Sequence, residues 1–385
     1  MKTHDFAQSP SGRLVPTIGG RHAYVPNDLP PKIEIASLVN KLSSANLALG
    51  ELNGIARTLK NPYLLIRPLQ VKEALTSSRM EGTYATADDL LLADAGFEGS
   101  ELASDAREVS NYARALREAT KSLADLPLCL RTIRNAHAEL LRGVAPNRGA
   151  TVRPGEFKHD QNWIGTTNKI SDARFIPPPA AEAQEAMGQL EKYIQRETRE
   201  DTPVLLDSAL IHYQFEAIHP FSDGNGRVGR MLITLHLTER GALTAPLLYM
   251  SPYLEAHKQT YIDLMYSVSK FGNWIEWVDF YLTAVLETCK ETVRTADRLS
   301  ELRDQTKEKL RASGRSAGLL LLADYIFLHP VFSIPQLAEY LSVTYRSAQA
   351  NIEVAMEAGV LRLVPKTTQP KYYVAPQVMK VIFES

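Results

Sequence analysis

The chain has 385 residues, 44% of them apolar and 23% charged, with a formal net charge of −1. That length allows two or three compact units, and the near-neutral balance excludes a global attraction to nucleic acid or acidic lipid. Two cysteines in apolar surroundings, Cys129 and Cys289, and an N-terminus without an apolar leader point to a cytoplasmic protein with reduced thiols; no run approaches a membrane span.

Residues 1–31, rich in Pro, Gly and polar side chains, read as an irregular arm packed on the rest of the chain. From 33 to 59 apolar residues recur at helical spacing (Ile35, Leu38, Val39, Leu42, Leu49, Leu52) until Asn61-Pro62 interrupts them. A connector containing Leu64 to Ile66 and Pro68 precedes a helix over 71–80. Ser77 and Glu81, four apart, share a face of a helix, and Gly82 suits its end. Thr86 opens a short helix over 88–92, and further helices are expected over 105–123 and 130–141, the last stopped by Asn147-Arg-Gly149. The texture then changes: 152–165 lacks helical periodicity and 175–179 ends in an extended Pro run. Helices resume over 180–196, 204–218, 231–237, 252–268 and 274–294, and the charged stretch 297–309 reads as an exposed helix end or linker. The last unit begins with an apolar helix, 318–329. Ser333 then caps a two-turn helix, Ser342-Val-Thr344 makes a turn, and a longer helix ends at Gly359. Val360 to Val364 and Tyr372 to Val374, joined through Lys366 and Lys371, form a hairpin.

The densest chemistry is His219-Pro-Phe-Ser-Asp-Gly-Asn-Gly-Arg-Val-Gly-Arg230, set between two helical segments. The opening turn of the second helix presents unpaired N–H groups to an anion. Gly224 and Gly226 let backbone approach that anion closely, and Asn225 between them can donate its amide. Arg227 and Arg230, three apart, can fork onto one polyphosphate. Asp223 is a hard oxygen ligand suited to Mg²⁺ shared with phosphate. His219, near neutrality, can take a proton from a hydroxyl.

These twelve residues resemble, without a gap, the signature of the Fic (filamentation induced by cyclic AMP) domain family. The resemblance implies a protein adenylyltransferase that moves AMP from ATP to a Ser, Thr or Tyr hydroxyl of a target protein, either another protein or a copy of the enzyme. His219 would be the general base, Asp223 the Mg²⁺ ligand, and Asn225 and Arg227 catalytic partners. The nucleotide would be bound by Gly224, Asn225, Gly226, Arg227, Val228, Gly229 and Arg230, with Ile164 and Gly165 from a flap and Tyr261 beside the adenine. For Tyr261 and Leu264 the aromatic-apolar spacing taken alone favours core. Ser77-Ser-Arg-Met-Glu-Gly82 resembles the family's inhibitory motif, in which Glu81 would pair with Arg230 and keep it from the γ-phosphate. The implied fold is mainly α: an all-helical core with a short β-hairpin flap, plus a C-terminal winged-helix domain. Its divisions would be an N-terminal segment 1–100 carrying the inhibitory helix, a catalytic core 101–295, a helical linker 296–316 and a winged-helix-like unit 317–385. A homodimer is compatible with the resemblance. In the last unit Tyr345, Arg346, Gln349, Lys366 and Lys371 could face DNA, but its slight positive charge favours a protein-interaction or regulatory role. Two rival readings stay open: transfer of another phosphate-containing group or removal of AMP, and a DNA-binding regulator whose Fic domain senses nucleotide.

Overall fold

The computed structural model describes residues 1–58, 63–96, 104–144, 152–167, 169–198, 201–313, 317–365 and 370–383. Three features of the sequence reading, the Asn61-Pro62 interruption, the Asn147 to Gly149 stop and Lys366, lie outside the described residues.

The N-terminal arm is ordered as a hairpin. Strand β1 (Gly12–Thr17) pairs antiparallel with β2 (Arg21–Pro26), Leu14 opposite Tyr24. The Pro and Gly residues that suggest irregularity are the strand-end prolines and the Ile18-Gly19-Gly20 turn, whose glycines take φ of 64° and 66°. Two helices follow: α1 (Val39–Thr58) and α2 (Tyr63–Met80). The second runs straight through Pro68, where a connector was expected. Burial of Leu69, Val71, Ala74 and Leu75 holds it helical against the local propensity. Gly82, with φ of 84°, ends the turn after α2 as expected. Thr86 then caps α3 (Ala87–Asp94) in a capping box with Asp89.

The 219–230 motif is framed by α4 (Ser104–Ser122), α5 (Leu130–Leu140), α6 (Ala180–Ile194), α7 (Val204–Ile218) and α8 (Asn225–Glu239). Between α5 and α6 the non-helical stretch contributes a short antiparallel pair, β3 (Ile164–Gly165) with β4 (Ala173–Phe175). The N-terminal hairpin leans on this flap: the Tyr24 N–H donates to Ile176 O at 2.8 Å and Thr17 Oγ1 donates to Gln161 Oε1 at 2.6 Å. Helix α7 is apolar on every side and buried along its length, the pattern of a central helix. The expected helix over 252–268 is broken at His257 into α9 (Ser251–Ala256) and α10 (Lys258–Phe271).

Helix α11 (Trp274–Ser313) is 40 residues long. The charged stretch 297–309 is its second half, not a loose connector. Leu299, Thr306 and Leu310 form a buried stripe on a helix whose other faces are charged. Against that stripe lie α12 (Ala317–Leu328), α13 (Ile334–Leu341), α14 (Tyr345–Glu357), α15 (Pro376–Phe383) and a three-stranded antiparallel sheet. The sheet consists of β5 (Val331–Ser333), β6 (Arg362–Leu363) and β7 (Tyr372–Val374) in the order β5-β7-β6. Ser333 and Gln336 form a capping box on α13, and Gly359, φ 65°, ends α14. Cys129 and Cys289 are both unbridged. Among the described residues no helix is long and apolar enough to cross a membrane.

Candidate active site

Helix α7 stops at His219, which takes a left-handed conformation, φ 49° and ψ 59°. For a residue with a Cβ that conformation is strained, and the surroundings hold it. Lys158 Nζ donates to His219 O at 3.0 Å, and Asn162 Nδ2 donates to the same oxygen at 3.0 Å and to Phe221 O at 2.9 Å. The Lys158 N–H meets Pro220 O at 2.8 Å. Burial pulls the Lys158 ammonium down to about 7.

The turn that follows is stapled from within. The Phe221 N–H donates to Asn225 Oδ1 at 2.8 Å, and Asn225 Nδ2 returns a bond to Phe221 O at 2.8 Å. The Asn225 amide is thereby committed to the loop backbone and not aimed at a ligand, a correction to the role expected of it. His137 of α5 supports the turn from below. Its ring stacks on Phe221 at 3.7 Å between centroids, its Nε2 donates to Asp223 O at 3.0 Å, and its Nδ1 accepts from the Gly155 N–H at 2.9 Å. Burial holds its pKa down at about 4, so it serves as a neutral strut.

Helix α8 starts at Gly224, φ 78°, and exposes its first turn as an anion cradle. A carboxylate sits in that cradle. A Cβ built on Gly226 would lie 2.3 Å from Glu81 Oε1, so only glycine lets that oxygen rest on the helix end. Arg230 holds the carboxylate: Nη2 donates to Glu81 Oε1 at 2.7 Å and to Ser77 O at 2.9 Å, and Nε donates to Ser77 Oγ at 2.8 Å. Ser77 is wholly buried. Burial disfavours the Glu81 charge, but Arg230 outweighs it and the net pKa is lowered. For Arg230 burial is likewise overcome by Glu81, and the net pKa is raised.

Arg227 differs from its expected place beside the outer phosphates. It is 0% exposed, paired through Nη1 with Glu108 of α4, and its Nη2 lies 3.4 Å from Asp223 Oδ1. It stands behind the cradle, where it can orient Asp223. Val228 and Gly229, expected at the nucleotide, are packed in the helix body. The Val228 side chain is buried and its N–H bonds Gly224 O, while Gly229 O accepts from His212 Nδ1 at 2.9 Å. Tyr261 is also core: its OH meets His212 Nε2 at 2.8 Å and only 3% of the residue is exposed. Its periodicity indicated as much; an apolar-flanked aromatic on a helix usually faces inward.

His219 itself is half-buried. Its Nδ1 lies 3.3 Å from Glu216 O, which fixes the tautomer with Nδ1–H donating and Nε2 available as acceptor. Burial, helped by the Lys158 charge, lowers its pKa to about 4, so the ring is neutral at pH 7. Asp223 has a side chain 28% exposed, with Oδ1 accepting from the Gly224 N–H at 2.6 Å. Among the described residues no group of three or more His, Cys, Asp and Glu is placed to hold a metal ion together. A Mg²⁺ ion carried by phosphate oxygens and water needs only one such carboxylate, and Asp223 beside the cradle fits that donor set.

Beside the last turns of α7 opens a cleft walled by Ile164 and Phe175 of the flap, Glu216 of α7 and Ile262, Met265 and Tyr266 of α10. Ile164, expected at the nucleotide, lies here; Gly165 is the exposed flap residue beside it. A larger cleft, between α2 and α11, contains none of the motif residues.

Residues 39–121 match the model of the Fic/DOC family N-terminal region, and residues 127–237 match that of the Fic/DOC family. A relative from Aquifex aeolicus named "Probable protein adenylyltransferase" is 30% identical over 156 residues, which are 38% of this chain and 45% of the relative. The "Protein adenylyltransferase Fic" of Drosophila virilis is 30% identical over 116 residues, 30% of this chain and 21% of that protein. The chain thus spans less than half the length of either. In fold it is similar to a Fic family protein from Desulfovibrio desulfuricans, with a TM-score of 0.60 at 21% identity, covering 90% of this chain and 98% of the other. It also resembles a Fic domain-containing signaling protein from Bacteroides thetaiotaomicron, with a TM-score of 0.52 at 18% identity over 67% of this chain and 97% of that one. The motif, the helical frame around it and both family matches agree: the chain belongs to the Fic/DOC family.

Proposed function

We propose that the chain transfers AMP from ATP to a hydroxyl of a protein, with Glu81 as a built-in inhibitor. One observation carries this reading: a carboxylate, Glu81, lodges over Gly226 at the start of α8 and takes hydrogen bonding from Arg230. An anion site that accepts a carboxylate accepts a phosphate through the same donors. Displacement of Glu81 would open the cradle to the triphosphate, with Arg230 turning to the outermost phosphate. The base would enter the cleft beside the flap.

In the reaction the acceptor oxygen attacks the α-phosphorus, an O–P bond forms, and the bond from that phosphorus to pyrophosphate breaks. The hydroxyl proton passes to His219 Nε2, which the Nδ1 contact to Glu216 O leaves ready to receive it. The first-turn amides of α8 would stabilise charge on the phosphate; Asn225 and His137 keep that turn in shape. Mg²⁺, when bound, neutralises phosphate charge, and Asp223 is the residue that would hold it. The names of the relatives support a protein acceptor and ATP as donor.

The test is transfer of label from α-labelled ATP to protein. A Glu81→Gly chain should label itself or a lysate acceptor, and adding His219→Ala should abolish the signal while ATP still binds. Label that persists in the double variant would overturn the mechanism.

A further inference from the structure

The carbonyls at the end of α7 have more donors than a helix end requires. Lys158 and Asn162, both in the non-helical stretch that leads into β3, reach the oxygens of the four consecutive residues from Ile218 to Phe221. Lys158 Nζ donates to His219 O at 3.0 Å and lies 3.4 Å from Ile218 O, and the Lys158 N–H meets Pro220 O at 2.8 Å. Asn162 Nδ2 donates to His219 O at 3.0 Å and to Phe221 O at 2.9 Å. The two side chains are themselves joined, Lys158 Nζ donating to Asn162 Oδ1 at 2.7 Å.

A plain helix cap needs none of this. The last carbonyls of a helix can be satisfied by water, and a long basic side chain ordinarily keeps its charged head in solvent. Lys158 is only 4% exposed, and burying its ammonium costs free energy that capping alone does not offset. The gain lies at His219. Its carbonyl oxygen accepts twice, which occupies both lone pairs and fixes the plane of the peptide that follows. His219 is also left-handed, and a residue with a Cβ stays so only where its surroundings over-determine it. On the ring side, Nδ1 lies 3.3 Å from Glu216 O. With backbone and ring both tied, Nε2 is left a single direction.

We propose that Lys158 and Asn162 are positioning residues of the transfer reaction, locking the His219 backbone so that Nε2 faces the acceptor hydroxyl. This rests on the nucleotide-transfer reading. Neither residue takes the proton or holds ATP; both act through His219. A misplacement of about 1 Å in a reacting group costs about a hundredfold in rate. Loosening the lock should therefore slow transfer and leave nucleotide binding as it was.

The experiment uses the full-length Glu81→Gly chain, with the rate of transfer from α-labelled ATP at saturating nucleotide set beside ATP affinity from calorimetry. Lys158→Met, similar in length but without a donor, should lower the rate at least about tenfold and change the affinity by less than about threefold. Lys158→Arg, which restores a cationic donor, should bring the rate back to within about threefold of the parent. Asn162→Ala removes the second donor to the same oxygen and should show the same split, and it decides the matter should Lys158→Met fail to fold. If the folded variants transfer label at the parent's rate, if ATP affinity falls in step with the rate, or if Arg restores nothing, the inference is overturned and the transfer reading survives. If the Glu81→Gly parent labels no protein at all, both fall together.

Discussion

Removing the Glu81 carboxylate should make the free protein less stable and at the same time better at binding ATP. Glu81 accepts one charge-assisted hydrogen bond from Arg230 at 2.7 Å, with Arg230 3% and Glu81 35% exposed on their side chains. Bonds to charged groups contribute about 1.5–3 kcal/mol. The solvent-facing side of Glu81 reduces that, so a loss of about 1–2 kcal/mol is expected for Glu81→Gly. Arg230 keeps both bonds to Ser77, which limits the damage. Without ATP, the melting temperature should drop by a few degrees. The same interaction is what a phosphate must displace. Its removal should tighten Mg²⁺·ATP binding by about tenfold, since 1.4 kcal/mol is one decade. Thermal melts with and without nucleotide, together with calorimetric titration, read both signs on one sample. Unchanged or weaker ATP binding by Glu81→Gly would refute competition for Arg230, and an unchanged melt would refute the energetic role of the pair.

Other consequences follow from the same geometry. Asn225→Ala removes both bonds that pin Phe221; the rate of label transfer should fall at least tenfold while ATP affinity changes by less than about threefold. Gly229→Ala would push a Cβ into Glu216 Oε1 and should destabilise the fold by about 1–3 kcal/mol, seen in urea unfolding. Acid should also weaken the fold. His137 and His219 are held near 4 and His212 near 3, from an ordinary 6.5, chiefly by burial. These pKa values are depressed, so their stability is complete above pH 6.5 and is lost as pH falls from 6.5 toward 4, where the unfolded chain takes up protons that the fold refuses. Glu216, raised from 4.5 to about 7, acts in the opposite sense between those values. Three histidines against one carboxyl leave about 3 kcal/mol of stability lost per pH unit between pH 6 and 5; a flat unfolding free energy across that range would contradict the burial of the rings.

The sequence revealed the parts whose chemistry is dense and local. The 219–230 stretch shows its glycines, arginines and imidazole within one turn, and Ser77 with Glu81 shows its helical spacing, so both ends of the Arg230 contact were legible, and the family resemblance paired them. What stayed hidden is long-range. Glu108 behind Arg227, Lys158 on the His219 carbonyl and His137 beneath Asp223 come from 61 to 119 residues away in the chain, and no local pattern pairs them. Asn225 was visible as an amide, but only the folded turn tells whether an amide faces ligand or backbone. The N-terminal hairpin was concealed because Pro and Gly mark its ends and turn, and the continuity of α11 past residue 294 because a charged helix with one narrow apolar stripe resembles a tether.

That helix has a mechanical consequence. Forty residues at 1.5 Å each make a rod about 60 Å long. One half of it packs beside α7, the helix that delivers His219, and the other half is the floor on which α12, α14 and α15 rest. Force or torque applied to that far lobe by a binding partner would be transmitted along an unbroken shaft to the helix that carries His219. Trimming the chain near residue 295 would remove Leu299 and Leu310 with the lobe they anchor and uncover the faces of α2 and α3 against which α12, α15 and β5 pack, leaving a sticky stump instead of a clean fragment.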